Sequence, residues 1–224
     1  MRIRLLITTL ATAALTLSGA AAAFGLVTIH ENEFNSKSKF KQVTKFSGGK
    51  GCKKFHDRGK RFGVAVNTGE TKCIFRTRVE GDGAGPDHEV DAKFKVNKST
   101  GKGVRNKIYG AVGVRSDKKI GYELRVFPKK GQWELHRAPG GNGFPVTGKS
   151  GSIKGIGKNN RISVRAFGNE IVAKINGKKV LTRVDTNAAR VSGRIVTLAA
   201  ANLKDKKKNV RVTFDSVKVK LPDP

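Results

Sequence analysis

The chain has 224 residues, 37% hydrophobic and 7% aromatic, with 27 glycines and a single tryptophan, a composition that suits one domain of many short strands joined by turns. Its 46 Lys and Arg against 17 Asp and Glu give a net charge of +29, a field that draws polyanions whatever the fold: anionic wall polymers, anionic lipid headgroups, acidic polysaccharide or free nucleic acid. The bases are scattered through strands and turns, with small clusters at Lys53-Lys54, Lys118-Lys119, Lys129-Lys130, Lys178-Lys179 and Lys204 to Lys208. No aromatic interleaving, helix-turn-helix pattern or RNP-like segment accompanies them, which excludes specific nucleic-acid recognition.

At the N-terminus, Arg2 and Arg4 precede a stretch without charge from Leu5 to Ile29 that passes through the small-residue run Gly19 to Ala23. This is the anatomy of an export signal covering residues 1–23, or of an uncleaved anchor reaching about Ile29; both send the following domain outward, to the cell surface or beyond. Residues 24–50 read as a polar lead-in with an early strand around Phe40 to Phe46, residues 51–221 as the domain proper, and 222–224 as a tail. The two cysteines, Cys52 and Cys73, meet an oxidising milieu after export, and a disulfide between them is expected.

From Phe62 onward the apolar residues alternate with polar ones. Strands are expected at Phe62 to Val66 and Lys72 to Val79. In His88 to Val96, Val90, Ala92, Phe94 and Val96 share one face, and Asp91, Lys93 and Lys95 share the other. A strand at Lys107 to Arg115 is followed by the alternation Ile120, Tyr122, Leu124, Val126. Pro128 to Gly131 then turns the chain into Gln132 to His136. Arg161 to Ala166 leads through Gly168-Asn169 into Glu170 to Ile175, and Asn176-Gly177 marks a tight turn into Lys178 to Val184, because both central positions of a type I′ turn need positive φ. Gly193 to Ala199 and Val210 to Val219 complete an all-β set of about a dozen strands, which calls for two facing antiparallel sheets.

The run Asn160 to Val180, Gly193, the closing Val212-Thr213-Phe214-Asp215-Ser216-Val217-Lys218-Val219, and Gly121 to Val126 with Gln132 to Leu135 resemble bacterial concanavalin A-like lectin/glucanase sandwich (jelly-roll) domains. Within them the chain is similar to 3-keto-disaccharide hydrolase and laminin-G-like extracellular modules. The resemblance spans about residues 60–220. It implies the two-sheet sandwich fold and does not choose between a lectin, a glycosidase and a passive adhesion module.

Glucanases of that superfamily carry Glu-x-Asp-x-x-Glu on one strand. The nearest run here is Glu89-Val90-Asp91-Ala92-Lys93-Phe94, which has Phe94 in place of the third acid and reads as an exposed strand face. Glu123, Glu134 and Glu170 are further carboxylates that meet only if their strands are neighbours. The ligand-binding aromatics to consider are Tyr122, Trp133, Phe127 and Phe144. Trp133 has the parity of Leu135 and so belongs to the core, whereas Phe127 and the loop residue Phe144 lie off the apolar face. His30, His56, His88 and His136 are far apart in sequence and show no metal spacing, and His136 reads as a surface residue. No cofactor is expected. Structural calcium would fall to Asp185 or Asp215, against a positive field. Asn97-Lys98-Ser99 matches a glycosylation sequon. The expectation is an exported, non-catalytic module that contacts glycan or an anionic wall polymer, with a glycosidase as the alternative.

Overall fold

A computed structural model describes residues 26–77, 86–117, 121–138, 140, 143–188, 193–204 and 209–222; the export segment, Val79, Lys118 to Ile120 and Asp205 to Lys208 lie outside them. In chain order the strands are β1 (Leu26–Asn32), β2 (Val43–Ser47), β3 (Cys52–Asp57), β4 (Arg61–Val66), β5 (Thr71–Thr77), β6 (His88–Val96), β7 (Ile108–Ser116) and β8 (Gly121–Phe127). They continue as β9 (Gln132–Ala138), β10 (Val146–Lys149), β11 (Asn160–Phe167), β12 (Glu170–Ile175), β13 (Lys178–Val184), β14 (Ile195–Asn202) and β15 (Val210–Pro222). An eight-stranded sheet has the order β13-β12-β11-β6-β15-β4-β3, with β1 also on β15; a seven-stranded sheet has the order β10-β9-β8-β7-β14-β5-β2. Every pairing among these strands is antiparallel, so the expected sandwich is what the chain forms.

The alternation predicted from sequence sets the layers. Val90, Ala92, Phe94 and Val96 of β6 face Val112, Leu124 and Leu198 of the other sheet, all fully buried. Phe62 lies at the centre of an aromatic chain, 5.6 Å from Phe34, 5.3 Å from Phe75 and 6.2 Å from Phe214 by ring centroids. A side chain on Gly110 would meet the Phe94 ring at 2.3 Å, so glycine is what lets β7 approach the opposite sheet. Cys52 in β3 and Cys73 in β5 form the expected disulfide, with Cα atoms 5.5 Å apart, and so tie one sheet covalently to the other. Closing that loop stabilises the fold by about 3 kcal/mol.

Two turns follow their sequence signals closely. Asn176 and Gly177 have φ of 51° and 84° and join β12 to β13 with Ile175 opposite Lys178. Gly168, at φ 50°, joins β11 to β12.

Two expectations need correction. The segment 24–50 is more than a polar lead-in: β1 pairs with β15 and β2 with β5, so it gives one strand to each sheet. Phe40 is not in a strand, because Ser36 accepts a hydrogen bond from the Lys39 amide and starts the one-turn helix α1 (Lys37–Lys41), whose Phe40 ring stacks 5.0 Å from His56. Strands β3 and β10 and a 3-10 turn over Lys102–Lys107 had no clear periodic signal.

Candidate functional site

The outward face of the seven-stranded sheet carries a second, smaller cluster that is separate from the core. Period two in β7, β8 and β14 turns Tyr109, Ala111, Phe127, Ala199 and Ala201 away from the other sheet, and Ile74 of β5 packs beside them. Tyr109 and Phe127 meet edge to face at 5.2 Å, and the Arg125 guanidinium lies 5.1 Å from the centre of the Tyr109 ring.

Beside this floor stands a network of charged side chains. The register puts Glu123 opposite His136 and Arg125 opposite Glu134, so four polar groups from β8 and β9 fall on one patch. Arg125 Nε donates to Glu123 Oε1 at 2.5 Å, and Lys72 Nζ from β5 reaches Glu123 Oε2 at 2.7 Å. His136 Nε2 lies 2.8 Å from Arg125 Nη1 and 2.9 Å from Glu134 Oε2. A guanidinium only donates and a carboxylate only accepts, so this nitrogen serves one neighbour at a time.

Burial pushes the Glu123 carboxyl up, but Lys72 and Arg125 outweigh it and hold the group below the usual carboxylate range. His136 is held below its ordinary value by burial, with Arg125 adding to the effect against Glu134. Burial and the Glu123 charge push Tyr109 far up, so its hydroxyl stays neutral; it is buried with no hydrogen-bond partner among the described residues. Next to Glu123 and Lys72 opens a small pocket of about 190 Å³ whose walls include Phe46, Ile74, Asp117 and Thr197.

The residues singled out from sequence do not all come here. Glu123 and Glu134 do, on neighbouring strands, while Glu89, Asp91 and Glu170 stand on the outward side of the eight-stranded sheet. Glu89 and Asp91 do not form the exposed strand face expected of them: they are 4% and 8% exposed, held by Lys220 at 3.4 Å and Arg161 at 2.8 Å. The long side chains of the flanking strands cover them. Tyr122 and Trp133 point into the core, at 0% and 5% exposure.

Phe127 is off the core as expected, yet it is 2% exposed under Tyr109 and Lys130. Phe144 is not a free loop ring. It packs against the core beside Tyr122, and the guanidinium carbons of Arg137 and Arg183 lie 5.5 and 4.7 Å from its centroid. Asp185 accepts from Tyr122 Oη at 2.7 Å and Arg137 at 2.9 Å, and Asp215 pairs with Arg61 and Lys93, so both calcium candidates face cationic partners. No group of three metal-ligating side chains occurs among the described residues.

His136, read as a surface residue, is half-buried inside the network. Tyr109, Arg125 and Lys72 escaped the sequence reading. Arg125 was within reach, because it shares the parity of Glu123 and Phe127. Tyr109 was not, because β7 is apolar on both faces.

Two stacked antiparallel sheets in this order, one carrying a polar and aromatic patch on its outward side, have the concanavalin A-like lectin/glucanase fold. The solved structures similar to it include the apo Crh5 transglycosylase, with 10% identity and a TM-score of 0.64 over 87% of this chain and 85% of that one. They also include the metal-free exoplasmic/lumenal domain of VIP36, with 10% identity and a TM-score of 0.60 over 89% and 95%. A third is the carbohydrate-binding module CBM66 from Bacillus subtilis, with 14% identity and a TM-score of 0.50 over 77% and 91%. At these identities the likeness is one of fold. No family model and no curated protein matches the chain.

Proposed function

We propose that the chain is an exported binding module that holds carbohydrate on the outward face of its seven-stranded sheet. The observation that carries this reading is the Glu123–Arg125–Glu134–His136 network standing beside the Tyr109–Phe127 floor. Sugar hydroxyls need donors and acceptors at fixed positions, and side chains already locked in mutual ion pairs lose little freedom when a ligand arrives. Carbohydrate-related names among the structural neighbours support the reading, and a disulfide between Cys52 and Cys73 accords with an oxidising, extracytoplasmic milieu. An anionic wall polysaccharide is the partner class that adds the +29 charge to this picture.

The test is a glycan array probed with His136→Gln and Gln132→Ala, two half-buried positions on the rim of the network. Each should weaken binding by about tenfold, the equivalent of one or two lost hydrogen bonds. The thermal midpoint should hold; unchanged binding in both variants refutes the site.

Glycoside hydrolysis is the second reading, because Glu123 and Glu134 sit on adjacent strands. Hydrolysis needs one carboxyl kept protonated beside an ionised one; Lys72 with Arg125 holds Glu123 in the ionised role and leaves the acid role to Glu134. Incubation with 3-keto and ordinary disaccharides releases reducing sugar if this reading holds and none if the face only binds.

A further inference from the structure

On the outward side of the eight-stranded sheet, at one end, a pocket of about 250 Å³ opens between the β3–β4 turn, the end of β6 and the loop at Gly157. Arg58, Arg61, Lys95 and Lys98 line it, with Asp57 as its only acid among the described residues and Asn97 and Ser99 as its neutral polar groups. Asp57 is already engaged by Arg61, at 3.4 Å, and Arg61 is fixed further by Asp215 at 2.7 Å. The side chains of Arg58, Lys95 and Lys98 make no hydrogen bond or ion pair with any described residue.

Two local features show that these cations are placed. Arg58 and Gly59 have φ of 53° and 67°, and the Lys60 amide donates to the Asp57 carbonyl at 3.1 Å, the geometry of a type I′ turn. The turn between β12 and β13 has the same geometry and uses Asn176, a residue that tolerates positive φ. An arginine in that position costs backbone strain that asparagine avoids, and strain of this kind collects where a side chain is used. Lys98 is likewise held: a side chain on Gly157, at φ 82°, would strike its stem at 2.5 Å, so the bare glycine gives the lysine its track. The floor is fixed by Asn97, whose Oδ1 accepts from Thr213 Oγ1 at 3.2 Å and whose amide donates to the Arg211 carbonyl at 2.9 Å.

We propose that this pocket binds the anionic groups, sulfate, phosphate or carboxylate, of an acidic polysaccharide. It does so independently of the carbohydrate face on the other sheet. A planar guanidinium fork and two ammonium groups match oxyanion geometry. Among the described residues no aromatic ring lines the pocket on which a base would stack, which favours polysaccharide over single-stranded nucleic acid.

The experiment measures binding of the full chain to immobilised dextran sulfate, polygalacturonate and uncharged dextran, with duplex DNA as competitor. Dextran sulfate and polygalacturonate should bind and dextran should not. The double variant Arg58→Asn with Lys98→Gln should weaken binding to both acidic polymers by about tenfold, from two lost charge-assisted contacts. Lys178→Gln with Lys179→Gln, which removes the same charge from the edge strand β13, should change it by less than about twofold, as expected of a general field. Because asparagine suits the turn, the single Arg58→Asn variant should melt no lower than the parent. Equal losses from the two double variants would reduce the effect to net charge and overturn the pocket. Competition by DNA as effective as by dextran sulfate, abolished by the pocket variant, would also overturn the proposal, in favour of nucleic acid. His136→Gln should leave dextran sulfate binding unchanged, so this site and the carbohydrate face can fail separately.

Discussion

The two outward faces of this sandwich are built from the same alternation yet differ in how they treat charge. On the seven-stranded face a few ions are drawn into one half-buried network, with Glu123 shared by Lys72 and Arg125 above a floor of Tyr109, Phe127 and alanines. On the eight-stranded face Glu89 pairs with Lys220, Asp91 with Arg161 and Glu31 with Lys218, Asp57, Arg61, Asp215 and Lys93 form a short chain of ions, and Arg58, Lys95 and Lys98 are left unmatched. A coupled network fixes positions and suits selective hydrogen bonding, whereas unmatched cations at a pocket suit attraction to charge. Both specialisations rest on one core.

Truncation should divide the faces most sharply. Phe127→Ala removes a ring buried beneath Tyr109 and should cost about 3 to 5 kcal/mol in urea unfolding. Glu123→Gln comes next. It leaves Lys72 and Arg125 without their shared counter-ion at a side chain 12% exposed, and about 2 kcal/mol of stability should go along with carbohydrate binding.

Acid should act on the same face. The folded value of Glu123 is depressed, so its stabilisation is complete above the unfolded value of about 4.3 and is lost as pH falls through the folded value. His136 is depressed too, so the unfolded chain binds its proton first and stability declines as pH falls from about 6.5 toward the folded value. Carbohydrate binding should weaken as this proton arrives beside Arg125. The smallest effect belongs to the other face: Lys218→Ala breaks a pair about one-third exposed on both sides and should cost less than about 0.5 kcal/mol. A larger cost there would erase the contrast.

The architecture was legible wherever one face of a strand is apolar and the other polar. The run from Val90 to Val96 and the Asn176-Gly177 turn declared both register and layer. Legibility failed where the pattern has no contrast. β7 is buried on both faces, so its sequence does not say that Tyr109 leaves the core. β3 is an edge strand of mostly half-exposed residues, and β1 continues an apolar run that reads as part of the export segment. The site was legible only in part. Parity put Glu123, Phe127 and Glu134 on the outward side, but which strands are neighbours is decided by long-range pairing. That same pairing lets Arg161 and Lys220 roof over Glu89 and Asp91.

The pairing of β1 with the far half of β15 fixes where the domain is held by whatever precedes it. Leu26 sits opposite Pro222, whereas Arg211 and Thr213, at the other end of the same strand, border the Arg58 pocket. Nine residues of strand separate Thr213 from Pro222, about 30 Å at 3.3 Å per residue. A polypeptide tethered through residues ahead of Leu26 would therefore carry its unmatched cations about 30 Å along the sandwich from the point of attachment.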